Sequence, residues 1–203
     1  MMNRETIENI LNFLKEKENK ESPKKWKLIH ELENHPDGAQ YRYKGNLVLS
    51  NSNITKLPND LYVDGYFSLF NCEQLKKLPD KLYIKRNLDL VRCKQLTKLP
   101  NDLYVGRSLV WYESNITELP NKFYGGKLFL TDCKQLTKLP DNLHIGGSLS
   151  LEGSNITELP DNLHIGGSLS LANTPLVNKY TDEEIREMIT STGGEIIGEI
   201  YTY

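Results

Sequence analysis

The chain has 203 residues and a net charge of −2, from 25 Lys and Arg against 27 Asp and Glu. That balance lacks the strong basic excess of a typical nucleic-acid binder, and no apolar run approaches the ~20 residues that a helical membrane span needs. The opening Met-Met-Asn-Arg-Glu lacks the apolar core of a secretory leader, so the expectation is a cytoplasmic protein.

Residues 4–18 carry Ile7, Ile10, Leu11 and Leu14 at helical spacing on a charged background, which predicts an amphipathic helix that covers another surface. The polar run 19–25 reads as a linker. Over 26–35 two patterns compete. Trp26, Leu28, His30 and Leu32 alternate like a strand, while Ser22-Pro23 could start a helix. The alternation favours a hairpin-like cap. Pro36-Asp37-Gly38 then predicts a turn, and Tyr41 and Tyr43 alternate with polar residues into a first strand.

From Gly45 to Leu176 one unit recurs. A Leu-Pro pair places prolines at 58, 79, 100, 120, 140 and 160, and the thirteen residues 139–151 return unchanged at 159–171. A period of about 20 residues marks a solenoid, in which each short unit buries its apolar face on the next. The units align on Leu47/Leu49, Phe67/Leu69, Leu88/Leu90, Leu109/Trp111, Leu128/Leu130, Leu149/Leu151 and Leu169/Leu171. Period-2 alternation turns both members of each pair inward and the residues around them outward. A glycine column (Gly45, Gly65, Gly126, Gly147, Gly167) precedes the strands and is expected to turn the backbone tightly.

The pattern Leu-x-Leu-x-x-(Ser/Cys)-x-(Ile/Leu)-Thr-x-Leu-Pro resembles the short Leu-Pro class of bacterial and phage leucine-rich repeats over residues 45–176. That resemblance implies an α/β solenoid with seven short parallel strands on a concave face and irregular arcs on the convex side. It also implies a protein-binding role. In this class that role belongs to secreted effectors and phage proteins, so a modulator or inhibitor of a host factor such as a defence enzyme is one expectation, acting in the host cytoplasm if phage-encoded. The class's usual ladder asparagine is absent. Ser52, Cys72, Cys93, Ser114, Cys133, Ser154 and Thr174 hold its place.

Beyond Leu176 the repeat stops. Thr181-Asp182-Glu183-Glu184 spells a capping box. Ile185, Met188 and Ile189 give the following helix an apolar face, Gly193-Gly194 ends it, and Ile196 to Tyr201 reads as a final strand. Three segments follow: an N-terminal helix and helix/hairpin cap over 1–44, repeats over 45–176, and a C-terminal helix–strand cap over 177–203.

No catalytic constellation stands apart from the repeat, and the chain is expected not to be an enzyme, with no cofactor and no metal. The three cysteines share one inward repeat position and read as small buried hydrophobes with free thiols. Cys72 and Cys93, on adjacent units, could also approach disulfide distance. His144 and His164 continue a column formed by Tyr62, Tyr83, Tyr104 and Tyr124, which reads as a stacked aromatic ladder rather than a metal pair. Three Asn-Ile-Thr triplets match a glycosylation acceptor, but the repeat itself generates them.

The informative residues break the repeat while facing outward. Where the last repeats offer serine, the middle ones offer Tyr66, Phe70, Val91, Val110, Tyr112 and Phe129. Arg86 and Arg107 replace the column glycine, and Asp89, Arg92, Glu113 and Asp132 fringe the patch. Outward aromatics ringed by charge predict a site for a protein partner; cross-strand pairing that only stabilises the sheet is the competing explanation. The alternative partner is a nucleic acid, held by Lys85, Arg86, Arg92 and Arg107.

Overall fold

The computed structural model describes residues 23–120 and 123–203. The expected helix over 4–18 lies outside the described residues. The chain from Gln40 onward winds into a parallel β-solenoid, with short strands stacked turn upon turn. Neighbouring turns are therefore about 4.8 Å apart along the stack.

Residues 26–35 do not form the expected hairpin. They belong to helix α1 (Pro23–Glu33). Proline at its first position is preorganised for a helix start. Ile29 and Leu32 are the buried residues, three apart, so the core follows the helical period rather than the strand-like one. Trp26 and His30, both half-buried, stack with ring centroids 5.3 Å apart. The helix is tied to the first turn by Glu33, whose Oε1 accepts from the amide and hydroxyl of Thr55 at 2.7 and 2.8 Å.

Two strand ladders run along the solenoid where a single one was expected. The two-leucine ladder contains β2 (Leu47–Val48), β4 (Phe67–Ser68), β6 (Leu88–Asp89), the ends of β7 (Tyr104–Val110) and β8 (Tyr124–Phe129), β10 (Leu149–Ser150) and β12 (Leu169–Ser170). A second ladder lies in the segment read as irregular. Its first part pairs β1 (Gln40–Tyr43), β3 (Asp60–Val63), β5 (Tyr83–Ile84) and the starts of β7 and β8 in series, and its second part, β9 (His144–Ile145) and β11 (His164–Ile165), belongs to a separate sheet. The physical cause is a second period-2 alternation: Leu61 and Val63 point inward and are buried, while Tyr62 between them points outward.

The core is a set of stacked apolar rows. The inward members of the two-leucine pairs are all buried, Trp111 included, at 0 % exposure. The position lacking the usual asparagine forms a buried row of small donors. The thiols of Cys72, Cys93 and Cys133 reach the carbonyls of Leu49, Leu69 and Trp111 on the preceding turns at 3.1, 3.0 and 3.0 Å. Each thus links two turns from a small side chain. Among the described residues no disulfide joins these three buried cysteines, and burial pushes the Cys93 thiol up to about 12.

The glycine column is needed for space rather than for turning. Of its five members only Gly45 has a left-handed backbone, with φ 93°. At Gly126 an added Cβ would collide with the Arg107 carbonyl oxygen, and at Gly65 with Asn46 and the Gly45 backbone. The left-handed conformation falls instead just after each two-leucine strand, at Asn51, Asn71, Arg92, Glu113, Asp132, Gly153 and Asn173.

The C-terminal segment is more than a lid. Helix α2 (Asp182–Ser191) carries the full capping box, with Thr181 N donating to Glu184 Oε2 at 2.8 Å and Glu184 N to Thr181 Oγ1 at 3.3 Å. The expected single strand is two: β13 (Glu195–Ile196) extends the second ladder beside β11, and β14 (Ile200–Tyr201) extends the two-leucine ladder beside β12. Ile196 and Ile200 occupy the inward positions, so the tail forms a further partial turn. Among the described residues no helix is long and apolar enough to cross a membrane.

Candidate protein-binding face

Each two-leucine strand presents outward side chains at its start, middle and end, and the register fixes which of them are neighbours. At the strand end, Phe70, Val91 and Tyr112 follow one another on successive turns, between Ser50 and Thr131, and all are half-buried. At mid-strand stand Asp89, Val110 and Phe129, each half-buried. At the start, Tyr66 is 37 % exposed, and Arg86 and Arg107 are exposed. The ten residues singled out from the sequence thus share one face of four adjacent turns. They do not share one edge. Arg92 stands at the strand end, six residues and roughly 20 Å from Arg86 at an extended rise of ~3.3 Å per residue.

Asp89 is occupied locally. Its Oδ2 accepts from the Ser68 hydroxyl at 3.0 Å and its Oδ1 from the Val91 amide at 3.0 Å, while Ser68 contacts Ser50 Oγ at 2.8 Å. This chain explains why Ser68, expected outward, is only 7 % exposed. Both carboxylate oxygens of Asp89 are thereby engaged within the sheet.

Three further departures from the repeat converge on the turns 83–93 and 104–114. The first is in the backbone. The left-handed column consists of Asn, Asp or Gly except at Arg92 (φ 61°) and Glu113 (φ 48°). Short polar residues and glycine tolerate this conformation, whereas longer side chains are strained in it. The two exceptions are adjacent, and Arg92 Nε donates to Glu113 Oε2 at 2.8 Å. The guanidinium also lies over the Phe70 ring at 6.0 Å from its centroid, within cation–π range.

The second departure is in the core beneath. Trp111 replaces leucine, and among the described residues its buried Nε1 finds no hydrogen-bond acceptor, a cost of about 1–3 kcal/mol. The third is in register. Between the pairs Val105↔Gly125 and Ser108↔Lys127, Gly106 and Arg107 of β7 oppose Gly126 alone of β8. That is a β-bulge, a device that re-aims side chains and gathers at functional sites. Its cause is legible in the sequence, since the unit at Tyr124-Gly125-Gly126 is one residue short.

Elsewhere the residues with chemical promise are structural. Tyr62, Tyr83 and Tyr104 stack at 4.5 and 4.3 Å, and the Arg42 guanidinium covers the end of the ladder 4.4 Å from Tyr62. The faces these rings turn toward one another are taken up by the stacking. His144 and His164 stack at 5.7 Å, and among the described residues no group of three His, Cys, Asp or Glu is placed to hold a metal. Asn115 and Asn155 of the Asn-Ile-Thr triplets donate to the carbonyls of Lys94 and Lys134 at 3.0 and 2.7 Å, tying turn to turn. A groove of about 600 Å³ runs along the Leu-Pro arcs, lined by Glu118, Lys138, Asp141, Glu158 and Asp161. A similar furrow recurs one repeat earlier between Lys98 and Glu118, so it follows from the arc geometry and not from a site.

No family model matches the chain, and no match emerges among curated proteins or solved structures. The fold class, a parallel β-solenoid, rests on the strand register itself.

Proposed function

We propose that this chain is a non-enzymatic interaction module of the short Leu-Pro leucine-rich-repeat kind. A partner protein is held on the outward face of the two-leucine strands, centred on Phe70, Val91 and Tyr112. The observation that carries this reading is a coincidence. Side chains, backbone conformation, core and register all leave the repeat at the turns 83–93 and 104–114, while the serine-rich turns from His144 and His164 keep it. Sheet stabilisation alone accounts for cross-strand apolar pairs. It does not account for two strained, ion-paired residues and an unpartnered indole at the same level, and locally costly features of that kind gather at functional sites. A partner that modulates or is modulated by this protein, such as a host enzyme, fits a face of this size without any chemistry of the chain's own.

Affinity capture with two baits tests the reading: the parent chain, and a variant carrying Phe70→Ser, Val91→Ser and Tyr112→Ser, which installs the residue found at Ser50 in the same column. A protein retained by the parent and lost by the variant, with both baits equally folded, supports it. Equal retention by both contradicts it.

A further inference from the structure

The start edge of the two-leucine strands carries a charge pattern opposite to that of the whole molecule. Over the first five turns, the three positions between the ladders hold Lys44, Lys85, Arg86, Arg107 and Lys127 against Asp64 alone. The following two turns offer only glycine and serine there, at 146–148 and 166–168. All five cations are exposed, and among the described residues none is within ion-pair distance of a carboxylate. Asp64 is already engaged, since Arg42 donates to it at 2.9 Å. That hydrogen bond, with the charges of Arg42, Lys85 and Lys44 behind it, holds the Asp64 carboxyl below its ordinary range.

Nothing in the fold asks for this clustering. Arg86 and Arg107 replace the glycine of the other turns on adjacent strands, with Arg107 N bonded to Arg86 O at 3.0 Å. Like charges placed side by side across strands destabilise a sheet. Arg107 is moreover carried on the bulge, which displaces it from the regular column. Tyr66, 37 % exposed, adds an aromatic group to the same edge.

We propose that this edge seats an acidic segment of the partner protein, running across the turns from Lys44 to Lys127 beside the aromatic face. The inference rests on the protein-binding reading and adds the partner's charge to it. An acidic polypeptide fits better than a nucleic acid for three reasons. The chain is acidic overall, at −2, and would repel a long polyanion beyond this short row. Arg92, the remaining arginine of the repeats, is paired at the far end of the strand. From Tyr62 to Tyr104 the tyrosines are stacked on one another, which leaves no room for a base to enter between their rings.

Fluorescence polarisation with the full chain tests this, using a labelled poly-glutamate peptide and a single-stranded DNA oligonucleotide of matched charge. The expected result is peptide binding by the parent, weakened at least about tenfold by Arg86→Gly/Arg107→Gly, which installs the residue found at those positions in other turns. Arg86→Glu/Arg107→Glu should weaken it further, and Lys76→Glu/Lys77→Glu on the arc should bind as the parent does. Absence of peptide binding, equal loss in the arc variant, or tighter binding of the oligonucleotide than of the peptide would each overturn the proposal. Failure here with a Tyr112-dependent partner intact leaves the aromatic face standing. Peptide binding without a Tyr112-dependent partner does the reverse.

Discussion

Arg92 and Glu113 stand on adjacent turns, both with left-handed backbones, and Nε of the first donates to Oε2 of the second at 2.8 Å. At the same place in the other described turns stand Asn51, Asn71, Asp132, Gly153 and Asn173. The pair is exposed on both sides, where an ion pair adds little to stability. Replacing it with the residues of the repeat, Arg92→Asn with Glu113→Gly, should leave the melting temperature unchanged or raise it, because backbone strain is relieved. Partner binding should weaken. A drop in melting temperature would show that the pair serves the fold.

The last turn exposes carbonyls that a further turn would have used. Arg186 of α2 covers them, donating from Nη1 and Nη2 to the carbonyls of Ile196 and Gly198 at 3.0 and 2.9 Å. Open strand edges invite pairing with other chains. Arg186→Ala should therefore cost about 2 kcal/mol of stability and produce concentration-dependent association, read by light scattering beside thermal unfolding. A stable monomeric variant would mean that the edge is protected by something else.

Inward and outward faces can be separated by one pair of substitutions. Leu90 is fully buried among stacked rows, and Leu90→Asp should cost more than about 4 kcal/mol by leaving a charge without a partner. Ser150, half-exposed in the serine-rich part of the face, should tolerate Asp with a loss of less than about 1 kcal/mol. Chemical denaturation of both variants checks the contrast, and equal losses would contradict the assigned register.

Cys93 links the fold to pH. Burial raises its thiol from 9.0 to about 12 in the folded state. A group raised on folding contributes stability that is complete below its unfolded value and is lost as pH rises through the folded one. The window is therefore pH 9 to 12. Cys93→Ser, which installs the residue of the turns with Ser52 and Ser114, should lose less stability than the parent between those limits. Parallel losses in both would exclude Cys93 as a cause. Native Cys93 should also react slowly with a thiol reagent near neutral pH and rapidly after unfolding.

The two-leucine strands, the inward Trp111, the buried cysteine row and the Thr181 capping box were all legible in the sequence, because each is carried by strict local spacing. Helix α1 was not, since Trp26, Leu28, His30 and Leu32 imitate a strand while the core uses Ile29 and Leu32. The second ladder was masked by the Leu-Pro pair just before it, which marks an arc, although Leu61-Tyr62-Val63 alternates as clearly as Leu47-Val48-Leu49. The partial turn at 195–201 keeps the isoleucine and glycine of the repeat at Ile196 and Gly198, but it carries Ile200 where the repeat carries leucine and lacks the Leu-Pro arc. Of the candidate face, the aromatic column could be read directly. The left-handed column also left a signal in its run of Asn, Asp and Gly, but the strain at Arg92 and Glu113 needs backbone angles to be seen. The bulge at Gly106 and Arg107 needs the neighbouring strand, because the missing residue lies one turn away.

The most direct measurement is a calorimetric titration of the captured partner against the parent, Tyr112→Ala and Ser170→Ala. Tyr112 lies at the strand end between Val91 and Thr131, half-buried and beside the strained pair. The account predicts a loss of at least ~2 kcal/mol of binding for Tyr112→Ala, the usual threshold for a hot spot, with the melting temperature nearly unchanged and Ser170→Ala indistinguishable from the parent. Binding of Tyr112→Ala as tight as that of the parent would contradict it.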